Sequence, residues 1–264
     1  MIWIAAYLAA GAGVGFLAGL LGIGGGMTLV PVLATLFGLQ ALAPDYQVHL
    51  SLGTGMASVL FTSSASVREH HRHGGVDWTL VKRIAPGMLL GTLSSTLAAG
   101  WIAQRTLALA FAVIVFAGAT QILVGRRPTA ARAMPGSVPT FGIGYAIGVV
   151  CGLVSAGGAF LTIPFMLFCG VPMHRAIGTA AAIGLPVALV GTIGYVMGGW
   201  RVDGLPAGAL GFVYLPALAA LVAASVLTAP WGARKAHALP VATLRRVFAC
   251  LLYALATKMA IGAW

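Results

Sequence analysis

Ten apolar runs separated by polar connections make up most of the chain. Most runs have about 20 residues, the length that an α-helix needs to cross the hydrocarbon core of a bilayer. Because lipid offers the backbone no hydrogen-bond partners, each run is predicted to be helical. The runs cover residues 2–21, 27–43, 47–66, 84–100, 105–124, 139–155, 159–170, 176–198, 205–228 and 241–262.

The connection at residues 125–138 divides the chain into two halves. It contains proline, glycine and three arginines, a composition typical of a linker. The first half covers residues 1–124 and the second covers 139–264, and each contains five apolar runs.

A glycine-rich segment occurs once in each half, at residues 19–31 and 152–164. Each copy interrupts a membrane-like stretch, so it predicts a helical hairpin, at 2–43 in the first half and at 139–170 in the second. Broken helices at corresponding places in two halves indicate a transporter's binding site. The identical pairs are Gly19/Gly152, Leu20/Leu153, Gly24/Gly157, Gly25/Gly158 and Pro31/Pro164.

The distribution of basic residues decides between two topologies, because cytoplasmic loops are enriched in Lys and Arg. If each broken segment crosses the membrane once, the fifteen basic residues divide nine against six. If each segment returns to the side from which it entered, twelve share one face and three take the other. The three are Arg105, Arg201 and Lys258.

The second division is the better match to the positive-inside rule, so we predict an all-α integral membrane protein with two inverted-topology repeats. Each repeat is a glycine-broken hairpin plus three transmembrane helices, and both termini are periplasmic. The predicted transmembrane helices cover about 47–66, 84–100 and 105–124 in the first repeat and about 176–198, 205–228 and 241–262 in the second.

A second repeated signal follows each hairpin. The identical pairs are His49/His174, Gly53/Gly178 and Thr54/Thr179. A histidine, a glycine and a threonine that match in register indicate a shared role for these positions.

Composition supports the membrane interpretation and excludes a soluble protein. The chain is 60% hydrophobic and 7% charged, whereas soluble domains contain about 25% charged residues. The net charge of +11 comes from basic residues between apolar runs, so it indicates topology and not nucleic-acid binding. The three cysteines form no metal or disulfide motif.

The glycine-rich segments, the Gly-Thr copies and the two-half layout resemble the TauE/SafE sulfite exporter family over essentially the whole chain. The resemblance implies a bacterial inner-membrane permease for small sulfur-containing anions, with no cofactor. It leaves open sulfite, thiosulfate or an organosulfonate, import or export, and the oligomeric state.

An anion that leaves water needs hydrogen-bond donors, and the N-terminus of a helix offers backbone N–H groups. The hairpin tips are therefore the main candidate site, with the second helices starting just after the glycines. The candidate residues at the tips are Gly24, Gly25, Gly26, Met27, Thr28, Ser155, Gly157, Gly158 and Ala159. Close helix packing is the alternative role of these glycines.

The second repeated signal adds His49, Gly53, Thr54, His174, Gly178 and Thr179 to the candidates. The histidines either bind the anion or carry protons, and the alternative is that they cap or solvate helix ends. The threonines either contact the anion or bond a carbonyl of their own helix. The run His70–His73 is interpreted as a solvated loop and not as a metal site.

Only four residues are acidic, and all lie in or beside predicted loops. Cation-coupled carriers commonly place carboxylates inside the membrane. We therefore expect either electrically driven anion movement or coupling through the histidines.

Three rival functions remain weaker. A serine hydrolase using Ser155 lacks the Gly-x-Ser-x-Gly turn, and the first copy has Gly22 at that place. An anion channel would share the repeats, and a metal or cation carrier would need membrane carboxylates.

Overall fold

A computed structural model describes residues 2–21, 26–124, 133–236 and 241–262, with the backbone alone at 18–21, 65, 232–236 and 241–245. These residues form ten helices and one two-stranded ladder. The first half contains α1 (Ile2–Leu21), α2 (Gly26–Leu39), α3 (Gln47–Arg72), α4 (Trp78–Ala99) and α5 (Gln104–Val124). The second contains α6 (Ser137–Val154), α7 (Ala159–Phe168), α8 (Met173–Gly199), β1 (Ala209–Leu210), β2 (Val213–Tyr214), α9 (Leu215–Ala236) and α10 (Val241–Ile261).

Four of the described helices, α3, α5, α6 and α8, are long and apolar enough to cross a membrane. Helices α2 and α7 are also apolar but shorter, with 14 and 10 residues. The described helices agree with the predicted all-α membrane fold.

Each half packs one of its helices against the hairpin of the other half. Helix α1 packs along α9, and α6 packs along α4, so each hairpin lies against a helix of the other half. Helix α3 packs on α8, and α5 packs on α10. Because every one of these contacts pairs an element of one half with an element of the other, neither half encloses a core alone.

Glycines allow these exchanged helices to approach at backbone distance. A methyl group on Gly11 of α1 would lie 2.6 Å from the carbonyl oxygen of Leu221, and one on Gly15 would lie 2.5 Å from Cα of Ser225. From the first contact to the second, the residue numbers rise in both helices, so α1 and α9 are parallel. Helices α4 and α6 are parallel by the same evidence, because Gly87 and Gly91 of α4 meet the α6 backbone at Phe141 and Tyr145.

Two of the buried clusters repeat this exchange. One contains Tyr7, Leu33, Leu50 and Leu221, from α1, α2, α3 and α9. The other contains Ile147, Met166, Ile183 and Met88, from the corresponding helices α6, α7, α8 and α4. A third cluster contains buried residues of α2, α3, α5, α8 and α10.

Several helices extend beyond the apolar runs that predicted them. Helix α3 continues to Arg72 and α4 begins at Trp78, because turns that contain basic residues prolong both helices past the apolar segment. Asp77 caps α4, and its Oδ1 accepts hydrogen bonds from the N–H groups of Thr79 and Leu80 at 3.0 and 3.2 Å.

The prediction of a helix from residue 205 is wrong at its start. Helix α9 begins only at Leu215, and the residues before it form the ladder of β1 and β2. Gly208 and Gly211 have φ angles of 86° and 54°, which a right-handed helix does not contain. Most of the predicted linker, residues 125–132, lies outside the described residues.

Backbone contact between α4 and α6 predicts that Gly148→Ala destabilises the protein. Its methyl group would overlap the carbonyl oxygen of Met88, and overpacking of this kind costs about 1–3 kcal/mol. Gly142→Ala is the matched control in the same helix, because a methyl group there meets nothing within 4 Å. Thermal unfolding in detergent should show a lower melting temperature for Gly148→Ala alone. Equal melting of the two variants would contradict the packing.

Candidate functional site

The two hairpin tips meet inside the protein. Gly26, the first residue of α2, lies directly against the backbone carbonyl of Ser155, which ends the first helix of the other hairpin. A methyl group on Gly26 would overlap that carbonyl oxygen. The predicted site residues Gly24 and Gly25 lie outside the described residues, while Met27 and Thr28 are buried in the first turn of α2.

Ser155 ends α6 and fixes the second tip to α3. It adopts the left-handed conformation (φ 51°, ψ 39°), which terminates the helix. Its hydroxyl donates a hydrogen bond to the carbonyl oxygen of Leu52 at 2.6 Å. One turn earlier, the Tyr195 hydroxyl donates to the carbonyl of Gly152 at 2.8 Å. The second tip is therefore held by both α3 and α8.

The turn between α6 and α7 presents backbone donors. Gly158 has φ 90°, and a methyl group there would lie 2.6 Å from Cε of Met88, so this position requires glycine. Ala159 begins α7. No described residue accepts a hydrogen bond from the backbone N–H groups of residues 157–160. Free N–H groups at a helix start attract anions.

One face of α3 lines the junction of the tips. Leu52, Gly55 and Val59 recur at helical spacing, and all three lie toward the tips. Val59 contacts both tips. A methyl group added to Gly26 would lie 2.9 Å from Cγ2 of Val59, and a methyl group added to Gly157 would lie 3.1 Å from its Cγ1. From the other side, a methyl group on Gly184 of α8 would lie 2.6 Å from the carbonyl oxygen of Gly157.

Val59 and Gly184 are the residues that the sequence analysis missed here. They are equivalent positions when His49 is aligned with His174. A glycine in the interior of a predicted helix, at a matched position of the repeat, was the signal available for Gly184.

The Gly-Thr pairs make a different contact, which we call the Gly-Thr clamps: Gly53 and Thr54 of α3, and Gly178 and Thr179 of α8. Thr54 Oγ1 accepts a hydrogen bond from the N–H of Tyr214 at 2.9 Å. Thr179 Oγ1 accepts one from the N–H of Asp77 at 3.0 Å. Both acceptors are fully buried.

Each clamp holds the residue that precedes a helix of the other half. Tyr214 is followed by α9, and Asp77 is followed by α4. The glycine beside each threonine lets the same loop approach, because methyl groups on Gly53 and Gly178 would overlap the carbonyls of Phe212 and Gly75. The threonine oxygens thus accept hydrogen bonds from the N–H groups of another element. The contact is different from the alternative predicted above, a hydrogen bond to a carbonyl of the threonine's own helix.

The two matched histidines differ in their surroundings. His49 is 1% exposed, and its Nε2 lies 3.0 Å from the carbonyl oxygens of both Ala99 and Ile102, at the end of α4. Its Nε2–H is therefore shared by two carbonyls, which leaves Nδ1 as an acceptor without a described partner. His174 is exposed in the first turn of α8. The structure brings neither imidazole to the hairpin tips.

The structure also shows where the other polar groups lie. Asp45, Glu69, Asp77 and Asp203 occupy loops or helix ends. Ser155 donates to a backbone carbonyl and not to a histidine, so the pairing that a serine hydrolase requires is not assembled.

Comparison with known proteins adds the family. The model of the family described as sulfite exporter TauE/SafE matches residues 7–259. The chain belongs to this family. The match includes most of the first hairpin, the whole second hairpin and both Gly-Thr clamps, and it supports a membrane transporter.

Relatives from several organisms are likewise named as transporters. The chain is 32% identical over 255 residues, 96% of both chains, to a probable membrane transporter protein of Haemophilus influenzae. It is 25% identical over 193 residues, 70% of this chain and 76% of the relative, to the probable membrane transporter protein YdhB of Bacillus subtilis. No solved structure matches the chain. The chain is thus a multi-pass membrane protein of a transporter family.

The Gly-Thr clamps predict that Thr54→Val and Thr179→Val each destabilise the protein. A valine has nearly the same shape but cannot accept the buried N–H of Tyr214 or Asp77, and an unpaired buried donor costs about 1–3 kcal/mol. Thr54→Ser keeps the hydroxyl and is the matched control. Thermal unfolding should show lower melting temperatures for both valine variants. Melting of both valine variants at the parent temperature would show that the clamps contribute nothing.

Proposed function

We propose that the protein carries a small sulfur-containing oxyanion, of the sulfite, thiosulfate or organosulfonate class, across the bacterial inner membrane by alternating access. The anion binds where the two hairpin tips meet. The observation that carries the proposal is the contact between Gly26 of one tip and Ser155 of the other. Two segments that are far apart in sequence thereby come together in the interior of the protein.

The chemistry of the second tip suits an anion. The N–H groups of residues 157–160 have no described acceptor, and they point from the start of a helix whose dipole places partial positive charge there. Gly157 is partly accessible, whereas Ser155 is fully buried. The glycine backbone therefore contacts the anion, and the serine hydroxyl positions the tip.

The packing supports inverted repeats. The N-terminal turns of α3 contact the end of α4 through His49 and the start of α9 through Thr54. Helices α4 and α9 occupy equivalent places in the two halves, so their opposite directions are those of an inverted pair. Such repeats allow one half to rock against the other around a fixed central site.

Charge placement supports the proposed orientation. We call the end of the bundle at which α4 ends and α9 begins the upper face. Arg105 lies in the first turn of α5 there, and Arg201 follows α8 there. Together with Lys258 these are the three basic residues assigned to the periplasmic side by the positive-inside rule. Both termini are periplasmic in this orientation.

The energy source is the membrane potential. All four carboxylates lie in loops or at helix ends. The burial of His49 against two carbonyls and the exposure of His174 favour electrical driving over coupling through histidine. An inside-negative potential assists outward movement of an anion.

The proposed site predicts that Gly157→Leu abolishes sulfite transport. A leucine would fill the junction beside Val59 and Gly184, because even a single methyl group on Gly157 would lie 3.1 Å from Val59. Gly142→Leu is the control, because that position is exposed on α6 and has open space. Sulfite uptake and counterflow in proteoliposomes measure the effect, and counterflow separates a carrier from a channel. Parent-like transport by purified, correctly folded Gly157→Leu would refute the site.

The energy source is tested with the parent protein in proteoliposomes that contain sulfite. A potential imposed with K⁺ and valinomycin should change sulfite flux in the direction that its charge dictates, with no requirement for a pH gradient. The double variant His49→Gln/His174→Gln addresses the alternative of histidine coupling. Transport that needs a proton gradient and survives loss of both histidines would contradict both expectations.

A further inference from the structure

A serine of α3 lies at the junction of the hairpin tips, although none of the matched pairs of the repeat includes it. Ser63 follows Val59 by about one helical turn, so it continues the face of α3 that lines the tips. Its Oγ lies 3.7 Å from the place that a methyl group on Gly157 would take. A methyl group on Gly184 would also lie 3.7 Å from this oxygen. The Ser63 hydroxyl is therefore next to both the second tip and α8.

The hydroxyl of Ser63 is not used by the helix that carries it. Serine and threonine side chains inside a helix commonly donate to a carbonyl three or four residues earlier. Three neighbouring side chains of α3 make this bond, with oxygen–oxygen distances of 2.7–3.1 Å: Ser58, Thr62 and Ser64. Ser63 makes no hydrogen bond with any residue that the structure describes. Its donor is therefore available to a ligand.

The fold does not require a hydroxyl at this position. When His49 is aligned with His174, the residue of α8 that is equivalent to Ser63 is Ala188. Ala188 is fully buried, so the matching helix packs with a methyl group at this place. Ser63 is partly accessible instead. A role in packing therefore does not explain why this residue is a serine.

The junction offers an anion hydrogen-bond donors and no charged group among its described residues. The Ser155 hydroxyl is fully buried and already donates to the carbonyl of Leu52, so it is not available to an anion. Val59 is apolar. Ser63 thus supplies the accessible side-chain donor among the described residues at the junction. These residues are Gly26, Val59, Ser63, Ser155, Gly157 and Gly184.

A serine hydroxyl complements the backbone donors of the second tip. The N–H groups of residues 157–160 are fixed by the turn, whereas a hydroxyl hydrogen rotates to suit its acceptor. A hydrogen bond to an ionised acceptor is about twice as strong as one between neutral groups. An anion with one oxygen on the N–H groups and another on Ser63 is fixed in both position and orientation.

We propose that Ser63 is a substrate-binding residue, whose hydroxyl donates a hydrogen bond to the oxyanion held by the N–H groups of the second tip. This inference rests on the proposed function and adds a donor from α3 to the site. Helix α3 belongs to the first half and the second tip to the other, so the bound anion contacts both halves. A carrier that rocks one half against the other places its substrate at such an interface.

The first test measures sulfite binding to the purified protein by titration calorimetry. Ser63→Ala should raise the Kd for sulfite about tenfold, because a hydrogen bond to a charged group contributes about that much to affinity. Ser64→Ala is the matched control in the same helix, since Ser64 is exposed and its hydroxyl donates to the carbonyl of Phe61. It should leave the Kd unchanged. Equal Kd values for Ser63→Ala and Ser64→Ala would overturn the inference.

Thermal unfolding separates a binding role of Ser63 from a structural one. Without sulfite, Ser63→Ala should melt at the parent temperature, because the hydroxyl has no described partner to lose. Sulfite at about ten times the parent Kd should raise the melting temperature of the parent more than that of Ser63→Ala. A variant that melts lower without sulfite, and gains as much from sulfite as the parent, would show that Ser63 supports the fold and does not bind the anion.

The same titrations distinguish failure of this inference from failure of the proposed function. The parent protein is titrated with sulfite, thiosulfate and methanesulfonate, one member of each proposed substrate group. A parent that binds none of them would refute the proposed function together with the role of Ser63. A parent that binds sulfite with the same Kd as Ser63→Ala would refute the role of Ser63 alone and leave the proposed function standing.

Discussion

The fold depends on the two Gly-Thr clamps, in which α3 and α8 each hold the backbone that leads into a helix of the other half. Both contacts are buried, and both pair a threonine oxygen with the N–H group of the residue that precedes a helix. In a membrane, an N–H group without a partner costs several kcal/mol. The clamps therefore fix where α4 and α9 begin, and these helices in turn carry α6 and α1.

This exchange explains how the tips come together. Each hairpin packs against a helix that the opposite half supplies, so Gly26 of the first hairpin and Gly157 of the second both lie beside Val59 of α3. The two tips are not equivalent. Ser155 ties the second to Leu52, whereas the first sequence copy has Gly22 at that position. The second tip therefore has a hydroxyl anchor that the sequence of the first does not supply.

Sequence periodicity predicted the helices well because apolar length alone determines what crosses lipid. It misplaced the start of α9, because residues 205–214 are apolar although Gly208 and Gly211 turn the backbone into a short ladder. Repeat matching located Gly53, Thr54, Gly178 and Thr179, yet identity in register did not reveal that they bond backbone N–H groups of the other half.

The central claim is that a small oxyanion binds between the hairpin tips. Anomalous diffraction from crystals of the purified protein grown with selenite, a heavier analogue of sulfite, tests it most directly. We expect an anomalous peak within hydrogen-bond distance of the backbone N–H groups at residues 157–159, close to Gly26. Selenite bound elsewhere in the protein, with the junction of the tips empty, would contradict it.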